Sequence, residues 1–373
     1  MDDELLPPEA GHAASAVFTG SGSEYFRIWV VNLLLTLLTL GLYSAWAKVR
    51  KATYFRHNTW LDGHVFDYHG NPVAILRGRL VAVVLLTGYT WAFQFSNAAG
   101  LLTVATLCAA GPWLFMRAQQ FSLANTSFRG LRFGFRARAG EAYWTVLPVL
   151  ALWFAPVVGG AFVSVETWVY WTPTFASVLA WPWMHHRLKA YQRRNAVYGD
   201  RDFTFTPATL RFYGVYAKGF AFVVLGAILA AVTIGAVFAW WHRSGALLIS
   251  SRIETWIYGA LAVLAFYVVA WPYLAARLQH VVWSRTRLGD IHFRSEIKAR
   301  PLLRIVLKNV GLSILSGGVY WPWTTMALAR YRIECIRIES GVPLSTLATS
   351  LAAQPVTAAG EGAADAFGFD IGL

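Results

Sequence analysis

Trp46-Ala47-Lys48-Val49-Arg50-Lys51-Ala52-Thr53-Tyr54-Phe55-Arg56-His57-Asn58-Thr59-Trp60-Leu61-Asp62-Gly63-His64-Val65-Phe66 decides how the chain is read. An aromatic ring, an arginine, a second ring and an asparagine follow at steps of four, and then come a two-residue turn and a phenylalanine. The spacing returns as Trp113, Arg117, Phe121, Asn125, Arg129-Gly130, Phe133, and again as Trp183, Arg187, Tyr191, Asn195, Gly199-Asp200, Phe203. A fourth, worn copy reads Tyr273, Arg277, Val281, Arg285, Gly289-Asp290, Phe293. A period of this length sets the architecture before any local reading does.

Steps of four put the first four marks on one stripe of a helix. The asparagine is expected to end that helix in a left-handed conformation. Asp62-Gly63 suits a type I′ hairpin turn, and Gly199-Asp200 and Gly289-Asp290 suit type II′ by placing glycine first. Each copy is therefore a helix followed by a short β-hairpin. Isolated hairpins are marginal in water, so the four are expected to join into a small sheet. Phe18-Thr19-Gly20 is a candidate for its edge.

Between the copies lie apolar runs in pairs, at 78–98 and 100–116, at 143–162 and 164–184, and at 215–241 and 255–276. Several approach the ~20 residues that cross a bilayer. The chain of 373 residues is 57% hydrophobic and only 14% charged, and its 18 Trp and 16 Tyr gather near the ends of the runs as interfacial rings do. The net charge of +13 does not point to nucleic acid, because the cations flank the apolar runs. Paired spans return every motif to one face, which the Lys and Arg excess marks as cytoplasmic. Residues 28–47 and 309–329 resemble one another through Gly41-x-Tyr43-x-x-Trp46 and Gly318-x-Tyr320-x-x-Trp323. The reading favours six full spans with these two as short re-entrant segments, and a simple crossing by each stays open.

The fold expected is a polytopic α-helical membrane protein of four span–β-hairpin units with a small cytoplasmic sheet. Residues 1–17 read as a disordered acidic tail, 18–77 as a short membrane segment with the first hairpin, and 78–140, 141–213 and 214–300 as span pairs each with a hairpin. Residues 301–340 read as a second short membrane segment with a basic stretch, and 341–373 as a disordered tail.

Asn32 to Arg50, followed by Tyr54, Asn58-Thr59, Leu61-Asp62-Gly63 and Phe66-Asp67-Tyr68-His69-Gly70, resembles the YjgN-like family of bacterial inner-membrane proteins. The resemblance runs over residues 17 to 340. It implies a multi-pass protein of the bacterial inner membrane and brings no substrate, cofactor or catalytic residue with it.

The candidate binding groups are Arg50, Arg117, Arg187 and Arg277, since guanidinium suits the phosphate of a headgroup or organic anion. The alternative is a set of topology anchors. Adjacent His185 and His186 point in different directions on a helix, and neither they nor His280 have neighbours that complete a metal set. Asp62, Asp67, Asp200, Asp202 and Asp290 lie in or beside turns, where Asp serves local hydrogen bonding. There is no phosphate loop, nucleophile elbow or zinc-protease motif. The sequence is read as a non-enzymatic channel, facilitator or lipid handler, needing no cofactor or metal, with the bilayer and a small or lipid-like ligand as partners. The alternative is a scaffold that docks a soluble cytoplasmic partner on unpaired sheet edges. An enzyme of envelope lipids is the third reading.

Overall fold

The structure, a computed structural model, describes residues 12–162, 168–243, 259 and 270–340. It opens with β1 (His12–Phe18) and α1 (Gly22–Leu38), whose N-cap Ser21 accepts a hydrogen bond from the Glu24 N–H. After a tight turn come α2 (Ser44–His57), β2 (Thr59–Leu61), β3 (His64–Tyr68) and α3 (Pro72–Phe95). The order helix, strand, strand, helix then recurs. It recurs first in α4 (Asn97–Ala124), β4 (Thr126–Phe128), β5 (Leu131–Phe135) and α5 (Ala139–Gly160). Next come α6 (Trp168–Arg194), β6 (Ala196–Tyr198), β7 (Arg201–Phe205) and α7 (Thr209–Arg243), followed by α8 (Trp271–Trp283), β8 (Thr286–Leu288), β9 (Ile291–Ser295) and α9 (Ala299–Leu315). The described region ends with α10 (Trp321–Glu334) and β10 (Ile336–Ser340).

The strands do not form the expected small sheet. All ten close into one antiparallel barrel, in the order β1-β10-β9-β8-β7-β6-β5-β4-β3-β2. This corrects the reading of four hairpins with free edges. A fifth strand pair closes the ring: β10 after α10 and β1 before α1, in register His12 to Ser340 and Ser15 to Arg337. The outer flanks of that pair meet β9 and β2. Closure satisfies every strand edge, which a sheet of four hairpins cannot do. It also removes the edges on which the scaffold reading relied.

Turn chemistry explains the register within each pair. Asp62 (φ 48°) with Gly63 (φ 73°), and Arg129 (φ 50°) with Gly130 (φ 79°), carry the two positive angles of type I′ turns. Gly199 (φ 61°) and Gly289 (φ 55°) take the positive angle alone, the sign pattern of type II′.

The motif asparagines end their helices differently from the expectation. Asn58 sits at φ −94°, ψ 3° and Asn125 at φ −89°, ψ 0°, both right-handed. Each side chain instead donates from Nδ2 to the carbonyl four residues back, at 2.8 Å to Tyr54 and 2.9 Å to Phe121, and Asn195 does so to Tyr191 at 3.0 Å. The carbonyl at each helix end then accepts an N–H from the preceding hairpin. Thr19 donates to Asn58, His69 to Asn125, Arg136 to Asn195, Thr206 to Arg285 and Glu296 to Cys335, all between 2.8 and 3.0 Å. One joint thus recurs five times around the ring and ties each unit to the next.

The helices pair up on one side of the barrel. α3, α4, α5 and the stretch Thr209–Thr233 of α7 are long and apolar enough to cross a membrane, with mean hydropathies from 1.5 to 2.1. The expected span at 255–276 lies largely outside the described residues. So do most of the acidic tail and all of 341–373, whereas β1 begins inside the stretch assigned to that tail.

Segments 28–47 and 309–329 each contain a reversal. Residues 39–43 join α1 to α2 and residues 316–320 join α9 to α10, with Gly41 at φ 94° and Gly318 at φ 90°. The two tips share their hydrogen bonds. Gly41 N–H donates to Thr36 O and Gly318 N–H to Ser313 O, both at 2.7 Å. Tyr43 N–H donates to Thr39 Oγ1 and Tyr320 N–H to Ser316 Oγ, both at 2.9 Å.

Candidate functional site

The four candidate arginines do not converge. Arg117 lies over the Trp113 ring at 5.4 Å and Arg187 over Trp183 at 4.8 Å, each one turn along its own helix. Arg50 donates to Tyr43 Oη at 3.2 Å and to Asn32 Oδ1 at 3.5 Å. Arg277 is exposed. Trp113 and Trp183 are themselves exposed, so these pairs stand on the outer surface of the helices.

The other motif residues build the scaffold. Trp46 stacks near Tyr43 at 6.2 Å. The Tyr54 hydroxyl donates to Ser21 O at 3.0 Å and accepts from Ser21 N–H at 2.9 Å. Tyr331 repeats this clamp on Lys298, at 3.0 Å both ways. Phe121 packs with Ala45 and Ile75, and Tyr191 packs between Phe115 and Phe135.

The motif phenylalanines fill the barrel. Phe66 stacks on Phe128 at 4.6 Å, Phe133 meets Tyr198 at 4.7 Å, and Phe203 stacks on Phe293 at 6.0 Å. Leu61, Leu288, Ile291 and Ile338 complete the cluster. Burial pushes the Tyr198 phenol up to about 12, against the pull of the Arg129 charge, so it stays protonated and donates to Phe128 O at 2.8 Å. Each buried ring contributes ~1.5–3 kcal/mol through the apolar area it removes from water. These side chains form one apolar cluster in the barrel, with Phe66, Phe133 and Phe293 half-buried against its buried members.

A polar cluster lies where the helices meet this plug. Trp283 packs on Phe293 at 5.5 Å, and the Arg193 guanidinium lies over the Trp283 ring at 4.2 Å. Lys189 is one turn before Arg193 on the same face of α6, within electrostatic reach of both Arg193 and Arg332 of α10. Arg332 Nε donates to Gln279 Oε1 at 2.8 Å, and Gln279 Nε2 donates back to Arg332 O at 2.8 Å. Gln192, next to Arg193, is buried and its Nε2 has no partner. The three cations are half-buried, each surrounded by many protein atoms. Among the described residues neither Lys189 nor Arg193 forms an ion pair. Two neighbouring like charges that form no ion pair are costly to bury unless an anion joins them.

The histidines considered for metal serve different neighbours. His185 Nδ1 contacts Tyr216 Oη at 2.8 Å, His186 Nε2 accepts from Ala208 N–H at 3.1 Å, and His280 Nδ1 donates to Ser295 O at 2.5 Å. Ser127, His69 and Asp67 sit close together, but both Ser127 Oγ (2.9 Å) and the Asp67 carboxylate (3.7 Å) meet the same His69 nitrogen, Nε2. A catalytic triad needs the two ring nitrogens to face opposite partners, so this is not one.

The cluster at Lys189 and Arg193 was missed by a reading built on the motif arginine. Its residues stand two, five and six places after that mark, and they meet only once three motif helices surround one axis.

A family model described as "Bacterial protein of unknown function (DUF898)" matches residues 14–366. The chain is similar to the inner membrane protein YjgN of Salmonella typhimurium, 30% identical over 153 residues, which are 40% of this chain and 39% of that protein. It is also similar to inner membrane protein YjgN of Escherichia coli O157:H7, 33% identical over 150 residues, 36% of this chain and 35% of that one. The protein of the same name from Escherichia coli K12 is 32% identical over 144 residues, again 36% and 35%. The matches thus span little more than a third of the length of these curated relatives. No solved structure matches the chain.

Proposed function

The chain belongs to the family of bacterial proteins of unknown function DUF898, and on that premise we propose that it is a multi-pass inner-membrane protein that holds an anionic ligand. The ligand is a lipid headgroup or a small organic anion, bound where the helices meet the barrel. The observation that carries the reading is the gathering of Lys189 and Arg193 with Arg332, which Gln279 holds, with no ion pair to the first two among the described residues. The barrel faces the cytoplasm in this reading, since Arg132, Arg136, Arg138, Arg201, Arg287 and Arg294 stand on or beside its strands. The aromatic plug favours a protein that retains or hands on its ligand over an open pore along the barrel axis. The reading assigns no bond-breaking step, and the protein acts by binding.

The test is native mass spectrometry of the protein purified in lipid discs, with Lys189→Gln and Arg193→Gln beside it. A stoichiometric anionic species present in the parent and depleted in both variants upholds the reading. Its mass separates phospholipid from soluble anion. Equal retention in both variants overturns it, and selective loss from Arg117→Ala with Arg187→Ala moves the ligand to the outer arginines.

A further inference from the structure

A second basic site, independent of the interior cluster, lies on the barrel between the first two hairpins. A cleft of about 510 Å³ opens there, lined by His64, Asp67, His69, Ser127, Arg129 and Arg132 among others. We propose that this cleft binds a phosphorylated ligand.

Two carboxylates meet its residues, Asp67 in the lining and Asp62 on Arg129, and both are already committed. Asp67 Oδ1 meets His57 Nε2 at 2.6 Å and also accepts the Tyr68 N–H at 2.6 Å, while its Oδ2 faces His69 at 3.7 Å. The Arg132 side chain is exposed, with no hydrogen bond or ion pair among the described residues. His64 uses Nδ1 on Asp62 O at 2.9 Å, which leaves its Nε2 for a ligand. The cleft therefore presents an excess of donors.

Arg129 supplies the second observation. Its side chain is only 7% exposed, and its Nε is buried without a partner. One terminal nitrogen donates to Asp62 Oδ2 at 2.6 Å and to Asp62 O at 3.2 Å, and the guanidinium lies over the Phe128 ring at 5.6 Å, which fixes it in place. It also occupies a position where the other turns carry Asp or Gly, at φ 50°, a conformation that a long side chain rarely adopts. A buried guanidinium aimed by one carboxylate, beside a second arginine, a hydroxyl and two imidazoles, matches the several acceptor oxygens of phosphate better than a monovalent anion.

The experiment is calorimetric titration of the full chain in lipid discs with pyrophosphate as probe. Discs of zwitterionic lipid are compared with discs that contain anionic lipid. Saturable binding is expected in the zwitterionic discs, weakened about tenfold or more by Arg132→Gln, which removes one charge-assisted contact. His69→Gln is expected to weaken it as well. Arg129→Asn, which suits the positive φ and so keeps the turn, is expected to weaken it further. The same affinity in both discs assigns a soluble phosphate, whereas weaker apparent binding in anionic discs assigns lipid headgroups. Absence of saturable binding, or binding equal in parent and Arg132→Gln, overturns the proposal. Arg294→Gln, on β9 outside both sites, is the control expected to leave pyrophosphate affinity unchanged, while co-purification from the Lys189→Gln variant reports the interior site separately, so failure here is distinct from failure there.

Discussion

The backbone N–H of Arg136 donates to the carbonyl of Asn195 at 2.8 Å, joining the end of one hairpin to the helix terminus of the next unit. That carbonyl is presented by Asn195 itself, whose side chain closes the last helical turn onto Tyr191. The same pair of bonds meets at Asn125, where His69 is the donor.

Asn125→Ala removes the side-chain bond at such a joint while leaving the backbone bond possible. A hydrogen bond of this kind contributes ~0.5–1.5 kcal/mol net. A lowered unfolding midpoint of the purified protein in detergent is the expected result, and an unchanged midpoint would mean that the side chain is dispensable to the joint.

Phe203→Ala hollows the barrel plug. Phe203 is buried among Phe293, Leu288 and Ile291. Removal of a buried phenylalanine costs ~3–5 kcal/mol. Denaturant unfolding followed by tryptophan fluorescence is expected to show this loss, and Phe203→Leu is expected to recover much of it.

Asp67 gives the fold a dependence on acidity. Burial alone would raise its pKa, but the hydrogen bonds from His57 and the Tyr68 N–H, with the charges of His69 and His57, hold the carboxyl below its ordinary 3.8. A carboxyl depressed in the folded state contributes stability that is complete above its unfolded pKa and is lost as pH falls through the folded value. The parent is therefore expected to be more stable than Asp67→Asn near neutrality, with the difference shrinking below pH ~4. Unfolding midpoints measured from pH 7 down to 3 check the sign, and a difference that widens on acidification would contradict it.

Ala13 and Glu339 face one another across β1 and β10. Directly opposed antiparallel residues have Cα atoms about 4.5–5.5 Å apart, within the range that a disulfide spans. Ala13→Cys with Glu339→Cys, with native Cys108 and Cys335 replaced by Ser, is expected to form an intramolecular bond under mild oxidation. A shift in non-reducing gel mobility reports it, and failure to cross-link would argue against the closed ring.

The two-residue turns were legible because their geometry restricts residue choice. Positive φ at both positions selects Asp62-Gly63, and at the first alone selects Gly199 or Gly289. The closing strand was harder to see. Ile336-Arg337-Ile338-Glu339-Ser340 alternates as a strand should, and Trp323, Tyr331 and Cys335 keep the motif spacing. But Ala327 stands where the arginine belongs, so a search led by that arginine stops at the fourth copy. Its partner strand is more than three hundred residues away, at His12–Phe18, and no local pattern announces such a pairing. The interior cations share this limit, because Lys189 and Arg332 become neighbours only through the ring.

Closure by β1 and β10 gives synthesis a finishing condition. β1 is among the first described residues to leave the ribosome, yet one of its two edges stays open until Ile336–Ser340 have emerged. Until then that edge and the edge of β9 remain open, and open edges recruit foreign strands. A chain cut short before Ile336 would thus differ from a finished one by two unsatisfied edges. Those edges are a mark that quality-control proteases and chaperones can read without inspecting any other part of the molecule.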